Sequence, residues 1–123
     1  MCSMVNESPF RVWERFDPRH TLGGHILVYD EVDSTMDVAW ALMDKGYRHG
    51  TVVRAAAQRM GRGRFARRWV TGHDESLLLS VVVRNPPTRF DAPLMIASTL
   101  AVANTVTTIT GVNCGIKWPN DVE

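Results

Sequence analysis

Two cysteines, Cys2 and Cys114, are all that the 123 residues contain, too few for the disulfide framework that holds small secreted domains. Their scarcity fits a reducing compartment. The four histidines, His20, His25, His49 and His73, stand at no zinc-type spacing with one another or with cysteine. A GxxxxGK(S/T) phosphate loop is missing. Met1 to Arg11 carries no basic stretch followed by an apolar run, and no segment reads as long enough to span a bilayer. The expectation is a soluble cytoplasmic protein without a membrane partner. An excess of charge is missing too: the net charge of +1 excludes a molecule that binds polyanions over its whole surface. Lysine is nearly absent, since twelve of the fourteen basic residues are arginine.

What is present is an ordinary folded composition. Hydrophobic residues make up 45% and charged residues 22%, enough for one core but, at this length, not for two. The cations are concentrated. Arg54, Arg59, Arg62, Arg64, Arg67 and Arg68 fall within fifteen residues, and Gln58 to Trp69 contains no acidic side chain. Rigid guanidinium forks on a backbone with Gly61 and Gly63 suit an anionic ligand that carries a flat ring.

Residues 1–24 are polar, without periodicity, and end in Gly23-Gly24; they are expected to form a tail or irregular lead-in ahead of a domain at 25–123. His25 to Glu31 predicts a strand. Ser34 then starts a helix as N-cap, with Asp37 in capping-box position and Gly46 as the stop. Thr51-Val52-Val53 opens a second strand, and the arginine–glycine segment follows as a loop to about Asp74. Ser76 to Arg84 is apolar on both faces, which predicts a central strand, broken by Asn85-Pro86-Pro87. A helix capped by Asp91, with Pro93 in its first turn, runs to Gly111. A short strand, Cys114 to Lys117, leads into Trp118-Pro119-Asn120-Asp121. The second and third strands, joined without a helix, are expected to pair antiparallel. The fold class is α/β of the α+β type: a mixed, largely antiparallel sheet with helices packed on it.

Gly61-x-Gly63-x-x-Ala66 formally matches a dinucleotide fingerprint, but no helical pattern follows Ala66 to present an N-terminus to a pyrophosphate. A nucleic-acid module would use the arginines on phosphates, with Phe65 and Trp69 stacking on bases. It would need a wide basic face, and Asp30, Glu31, Asp33, Asp74 and Glu75 flank the segment.

Three motifs occur in order: Asp33-Ser34-Thr35, then Q-x-x-GRGR-x-x-R-x-W at 58–69, then KWPND at 117–121. Together they resemble the catalytic domain of biotin protein ligases over roughly residues 26–123. The resemblance implies a class II aminoacyl-tRNA-synthetase-like core that uses ATP and Mg²⁺ to convert biotin to biotinyl-5′-AMP. Transfer to a lysine of a biotin carboxyl carrier domain follows. By resemblance, Ser34, Thr35, Met36, Gln58, Gly61, Arg62, Gly63 and Arg64 hold biotin. Arg62, Arg64, Arg67, Trp69, Lys117, Asn120 and Asp121 face ATP or the adenylate, with Asp121 toward Mg²⁺ and Arg64 and Lys117 catalytic. Met36 stands where the family usually has asparagine, and Ala66 where it has glycine. If position 66 takes a positive φ, alanine costs about 1 kcal/mol there. The family continues past WPND with further strands, a K-x-x-G lysine and a small C-terminal domain. The chain is therefore expected to be the N-terminal piece of a ligase of the class without a DNA-binding domain, its sheet incomplete at an edge near the third or fourth strand. A lipoate–protein ligase shares the implied fold and acyl-adenylate chemistry.

Overall fold

Alternating apolar positions and one amphipathic run build a sheet that carries a helix in the first part of the chain. The computed structural model describes residues 11–84 and 91–123, which fall in two compact units, Met1–Arg84 and Asn85–Glu123. The predicted break at Asn85-Pro86-Pro87, the first ten residues of the predicted tail and the Asp91 side chain lie outside the described residues.

The first unit runs β1 (Arg11–Phe16), β2 (His25–Val32), α1 (Thr35–Asp44), β3 (Val52–Gln58), β4 (Gly61–Arg62), a single 3-10 turn (Arg64–Ala66), β5 (Arg68–Trp69) and β6 (Leu78–Val81). The main sheet has the order β1-β2-β3-β6. β1 and β6 pair antiparallel with their neighbours, while β2 and β3 are parallel. The α1 crossover makes that parallel pair possible. Leu27 and Tyr29 from β2, Val53 and Ala55 from β3, and Val82 beyond β6 form the core. Thr35, Ala39 and Leu42, spaced i, i+4, i+7, are the buried stripe of α1.

Both ends of α1 follow from local chemistry. The Ser34 side chain accepts from the Met36 amide at 3.3 Å, as its N-cap position predicts. At the other end Gly46 takes φ +87°, its amide bonding Met43 O at 3.1 Å while the Tyr47 amide bonds Leu42 O at 3.0 Å. These are the paired bonds of a Schellman stop. No basic residue lies in the last turn. Arg84 supplies the cation from beyond β6 instead, donating Nε to Tyr47 O at 2.6 Å and Nη2 to Met43 O. Between β1 and β2 the buried Asp17 carboxylate accepts from Arg19 N, Nε and Nη2 at 3.1, 2.9 and 2.7 Å. Those bonds hold its carboxyl below the usual carboxylate range.

Several elements differ from the sequence expectation. Part of the predicted tail is β1, an edge strand stabilised by backbone pairing while Trp13 and Phe16 stay about half exposed. Its apolar residues supply little inward signal. The predicted central strand is a short edge strand, β6. Leu78, Ser80 and Val82 face inward, and Leu77, Leu79 and Val81 remain exposed. Apolar residues on both faces suggested a central position, yet among the described residues β6 pairs in the sheet only with β3. The arginine–glycine segment is not an irregular loop but a small hairpin, with Gly61 opposite Trp69 and Arg62 opposite Arg68.

The second unit holds α2 (Asp91–Thr110), β7 (Ile116–Lys117) and β8 (Asp121–Val122). Gly111 ends α2 at φ +75°, as predicted. The last predicted strand shortens to β7, and its partner β8 was not foreseen. Thr99 and Ala103 are buried, and Thr99 Oγ1 donates to Met95 O at 2.8 Å and lies 3.4 Å from Pro119 O. Leu100, Val102 and Ile109 are exposed. Contrary to the expectation that no segment could span a bilayer, Ala92–Thr110 is long and apolar enough to do so by length and composition alone.

Candidate functional site

The C-terminal end of β3 and the N-terminus of α1 meet through one amide. Gln58 Oε1 lies 2.7 Å from the Thr35 amide nitrogen and 3.0 Å from Thr35 Oγ1. A backbone N–H can only donate, so the atom it meets is the Gln58 oxygen. Thr35 gives its single hydroxyl proton to that same oxygen. The bond between Thr35 Oγ1 and Ser80 Oγ, 2.9 Å long, must then be donated by Ser80. The chain Ser80 to Thr35 to Gln58 is thus directional. It leaves the Gln58 NH₂ as donor and the Ser80 oxygen as acceptor.

These groups line a cavity of about 280 Å³ together with Ser34, Met36, Arg62, Trp69 and residues 76–79. Small-molecule pockets start near ~300 Å³. Six of the residues singled out in the sequence are therefore brought together: Ser34, Thr35, Met36, Gln58, Arg62 and Trp69. Ser34 and Thr35 are buried, whereas Trp69 is 57% exposed and Met36 43% exposed.

The hairpin that carries Arg62 and Trp69 depends on Gly61. A Cβ there would sit 2.7 Å from Trp69 O and 3.2 Å from Gln58 Nε2, so only glycine permits this approach. Gly63 is extended at φ −99°, and a Cβ on it would meet Arg67 O at an ordinary 3.4 Å. The left-handed residues of the hairpin are Phe65 and Ala66, both at φ 57°. Position 66 does take the positive φ that its glycine-like place in the motif implied.

Gly61, Gly63, Arg64 and Arg67 are not among the residues lining the cavity. Arg64 lies over the Phe65 ring, 5.2 Å from its centroid, and Arg67 is exposed. Other arginines of the cluster are paired locally. Arg59 meets Asp33 at 2.8 Å and Glu31 at 3.0 Å, Arg62 meets Asp37, and Arg54 meets Asp74 at 3.3 Å. Lys117, Asn120 and Asp121 belong to the second unit, where Lys117 and Asp121 face each other across the β7–β8 hairpin. Asn120 Nδ2 donates to Asp121 Oδ1 at 2.9 Å. Among the described residues no group of three or more histidine, cysteine or carboxylate side chains could hold a metal by itself.

The sequence did not single out residues 76–80 or Asp37. Ser80 carried a usable signal, as the one polar residue within the apolar run Leu77 to Val83. Asp37 carried none, because its expected capping role looked complete.

A mixed sheet with a cavity of mixed polar and apolar lining, between strand ends and a helix N-terminus, defines an α+β ligand-binding core. Residues 28–123 match the Biotin/lipoate A/B protein ligase family, and the chain belongs to that family. It is 30% identical over 102 residues to the bifunctional ligase/repressor BirA of Bacillus subtilis (strain 168), covering 82% of this chain and 31% of that protein. With the biotin–(acetyl-CoA-carboxylase) ligase of Mycobacterium tuberculosis (strain ATCC 25618 / H37Rv) it shares 38% identity over 78 residues, 59% of this chain and 29% of the other. The biotin protein ligase from Aquifex aeolicus in complex with biotin and ATP superimposes with a TM-score of 0.64 at 30% identity, over 79% of this chain and 40% of that one. The fold is accordingly of the class II aminoacyl-tRNA-synthetase-like type. The chain spans about a third of the length of the curated relatives it matches.

Proposed function

We propose that this chain carries the biotin- and adenylate-binding part of a biotin protein ligase. Such an enzyme joins biotin to ATP as biotinyl-5′-AMP, releases pyrophosphate, and passes biotin to a lysine of a biotin carboxyl carrier domain. The observation that carries the proposal is the directional chain Ser80–Thr35–Gln58 in the same cavity as Arg62 and Trp69. A cyclic urea offers one carbonyl acceptor between two N–H donors. The Gln58 NH₂ and the Ser34 hydroxyl can donate to the carbonyl, and the Ser80 oxygen can accept. Arg62 supplies the counter-charge for the carboxylate at the other end of biotin, and exposed Trp69 offers a face for adenine.

Activation brings that carboxylate against an α-phosphate. Unit charges ~4 Å apart repel by ~4 kcal/mol at an effective dielectric of ~20, close to three orders of magnitude in rate if unscreened. Arg62, Arg64 and Arg67 from the hairpin are proposed to offset it, with Arg64 holding the adenylate and Gly61 and Gly63 giving the backbone room. Lys117 and Asn120 are assigned to the phosphates. Asp121, a single exposed carboxylate beside Asn120, fits an Mg²⁺ ion carried in on ATP, which needs only one or two protein carboxylates. A reducing, ATP-supplied cytoplasm is the proposed setting.

The pairing of Arg54, Arg59 and Arg62 with carboxylates argues against a polyanion-binding face. Isothermal titration separates the alternatives. Biotin is expected to bind, a biotinyl-adenylate analogue to bind more tightly, and lipoate to give no heat. Micromolar oligonucleotide binding with a steep salt slope and no biotin heat overturns the proposal.

A further inference from the structure

Asp37 stands in the first turn of α1, one residue after Met36, which lines the cavity. Its expected capping-box partner is the backbone amide of Ser34. Instead, its Oδ1 accepts from Nη2 of Arg62, on the β4–β5 hairpin. Both side chains are about half exposed, and Arg62 lines the cavity. The nearby Asp33 and Glu31 are already engaged by Arg59, and Arg64 lies over Phe65.

We infer that Asp37 is an internal stand-in for the ligand carboxylate, pairing with Arg62 so that an entering carboxylate must exchange with it. The inference rests on the biotin assignment of the cavity. Exchange has two costs: the ion pair is broken, and two carboxylates are brought near one guanidinium. Removing the Asp37 charge abolishes both. A residue that merely positioned Arg62 would act with the opposite sign, because its loss would weaken binding. The sign of one substitution therefore decides between a stand-in and a positioning residue.

Exposed ion pairs are weak, corresponding to about 1.4- to 5-fold in an equilibrium constant. The expected effect is of that order. In titration calorimetry with the full chain, Asp37→Asn should bind biotin about two- to fivefold more tightly than wild type at low salt, with the gain shrinking as salt rises. Biotinol, whose carboxylate is replaced by an alcohol, should bind both proteins equally, and Asp37→Glu should behave as wild type. Asp37→Ser serves as a second variant if asparagine disturbs the first turn of α1. Unchanged or weaker biotin binding by folded Asp37→Asn overturns the inference. If wild type binds neither biotin nor biotinol, the biotin assignment fails by itself, and the ion-pair role is judged by phenylglyoxal labelling of Arg62 read by peptide mass spectrometry. Faster labelling in Asp37→Asn supports an occupied Arg62; equal rates overturn it.

Discussion

At the scale of the residue, the hairpin places its strain where side chains are present and not where glycines are. Phe65 and Ala66 both hold φ 57°, a region that costs an L-residue roughly 1–2 kcal/mol. Glycine at position 66 removes that cost but gives the unfolded chain more freedom, about 0.4–1 kcal/mol in the other direction. The difference favours glycine. Ala66→Gly is expected to stabilise the chain by about 0.5 kcal/mol, seen as a higher urea midpoint at unchanged slope. A lower midpoint would show that the left-handed turn is not kept in solution. Sequence spacing identified position 66 as glycine-like, but it could not show that Phe65 shares the same conformation. That depends on closing a hairpin whose ends, Gly61 and Trp69, approach too closely for a Cβ.

At the scale of the element, the segment between β5 and β6 supplies residues 76 and 77 to the cavity and is fastened to β2 and β3 by His73 and Asp74. His73 Nε2 lies 2.8 Å from Asp30 Oδ1, and Nδ1 lies 3.3 Å from Asp74 Oδ2. The Asp74 amide donates to Ala56 O at 2.9 Å. With a carboxylate at each ring nitrogen, only the imidazolium satisfies both contacts. The hydrogen bond to Asp30 is the chief cause that raises the histidine above its ordinary value of 6.5. A raised folded value means stability that is complete below about pH 6.5 and is lost as pH rises through the higher folded value. An NMR titration of His73 should therefore give a midpoint above 6.5 that falls toward it in Asp30→Asn. A wild-type midpoint at or below 6.5 would remove the fastening. No motif announced this contact, because Asp30 and His73 are 43 residues apart. By contrast, the Ser34 cap and the Gly46 stop of α1 were legible, since each depends on neighbours within one turn.

At the scale of the whole molecule, the cavity lies within the first unit, whose core is Leu27, Tyr29, Val53, Ala55 and Val82 with α1. A ligand that binds only the folded state stabilises it by about 2.7 kcal/mol at a hundred times its dissociation constant. Thermal unfolding with increasing biotin should then move the transition of this unit upward by several degrees, logarithmically in free biotin. A transition indifferent to saturating biotin would mean that the cavity does not hold it. The same experiment with biotinol measures how much of the shift comes from the carboxylate.

Sequence by itself determined the family, the α+β class, the ends of α1, the stop of α2 and six of the cavity residues. Each rests on short-range chemistry or on an ordered set of motifs. The tertiary structure decided the rest. It made β1 a strand, turned an apolar run into an edge, folded the arginine segment into a hairpin, and brought Ser80 to Thr35 and Asp37 to Arg62. Those features depend on backbone pairing and on contacts between residues 25 to 45 positions apart. Local propensity and spacing do not encode such contacts; they exist only once the sheet has set which strand ends meet.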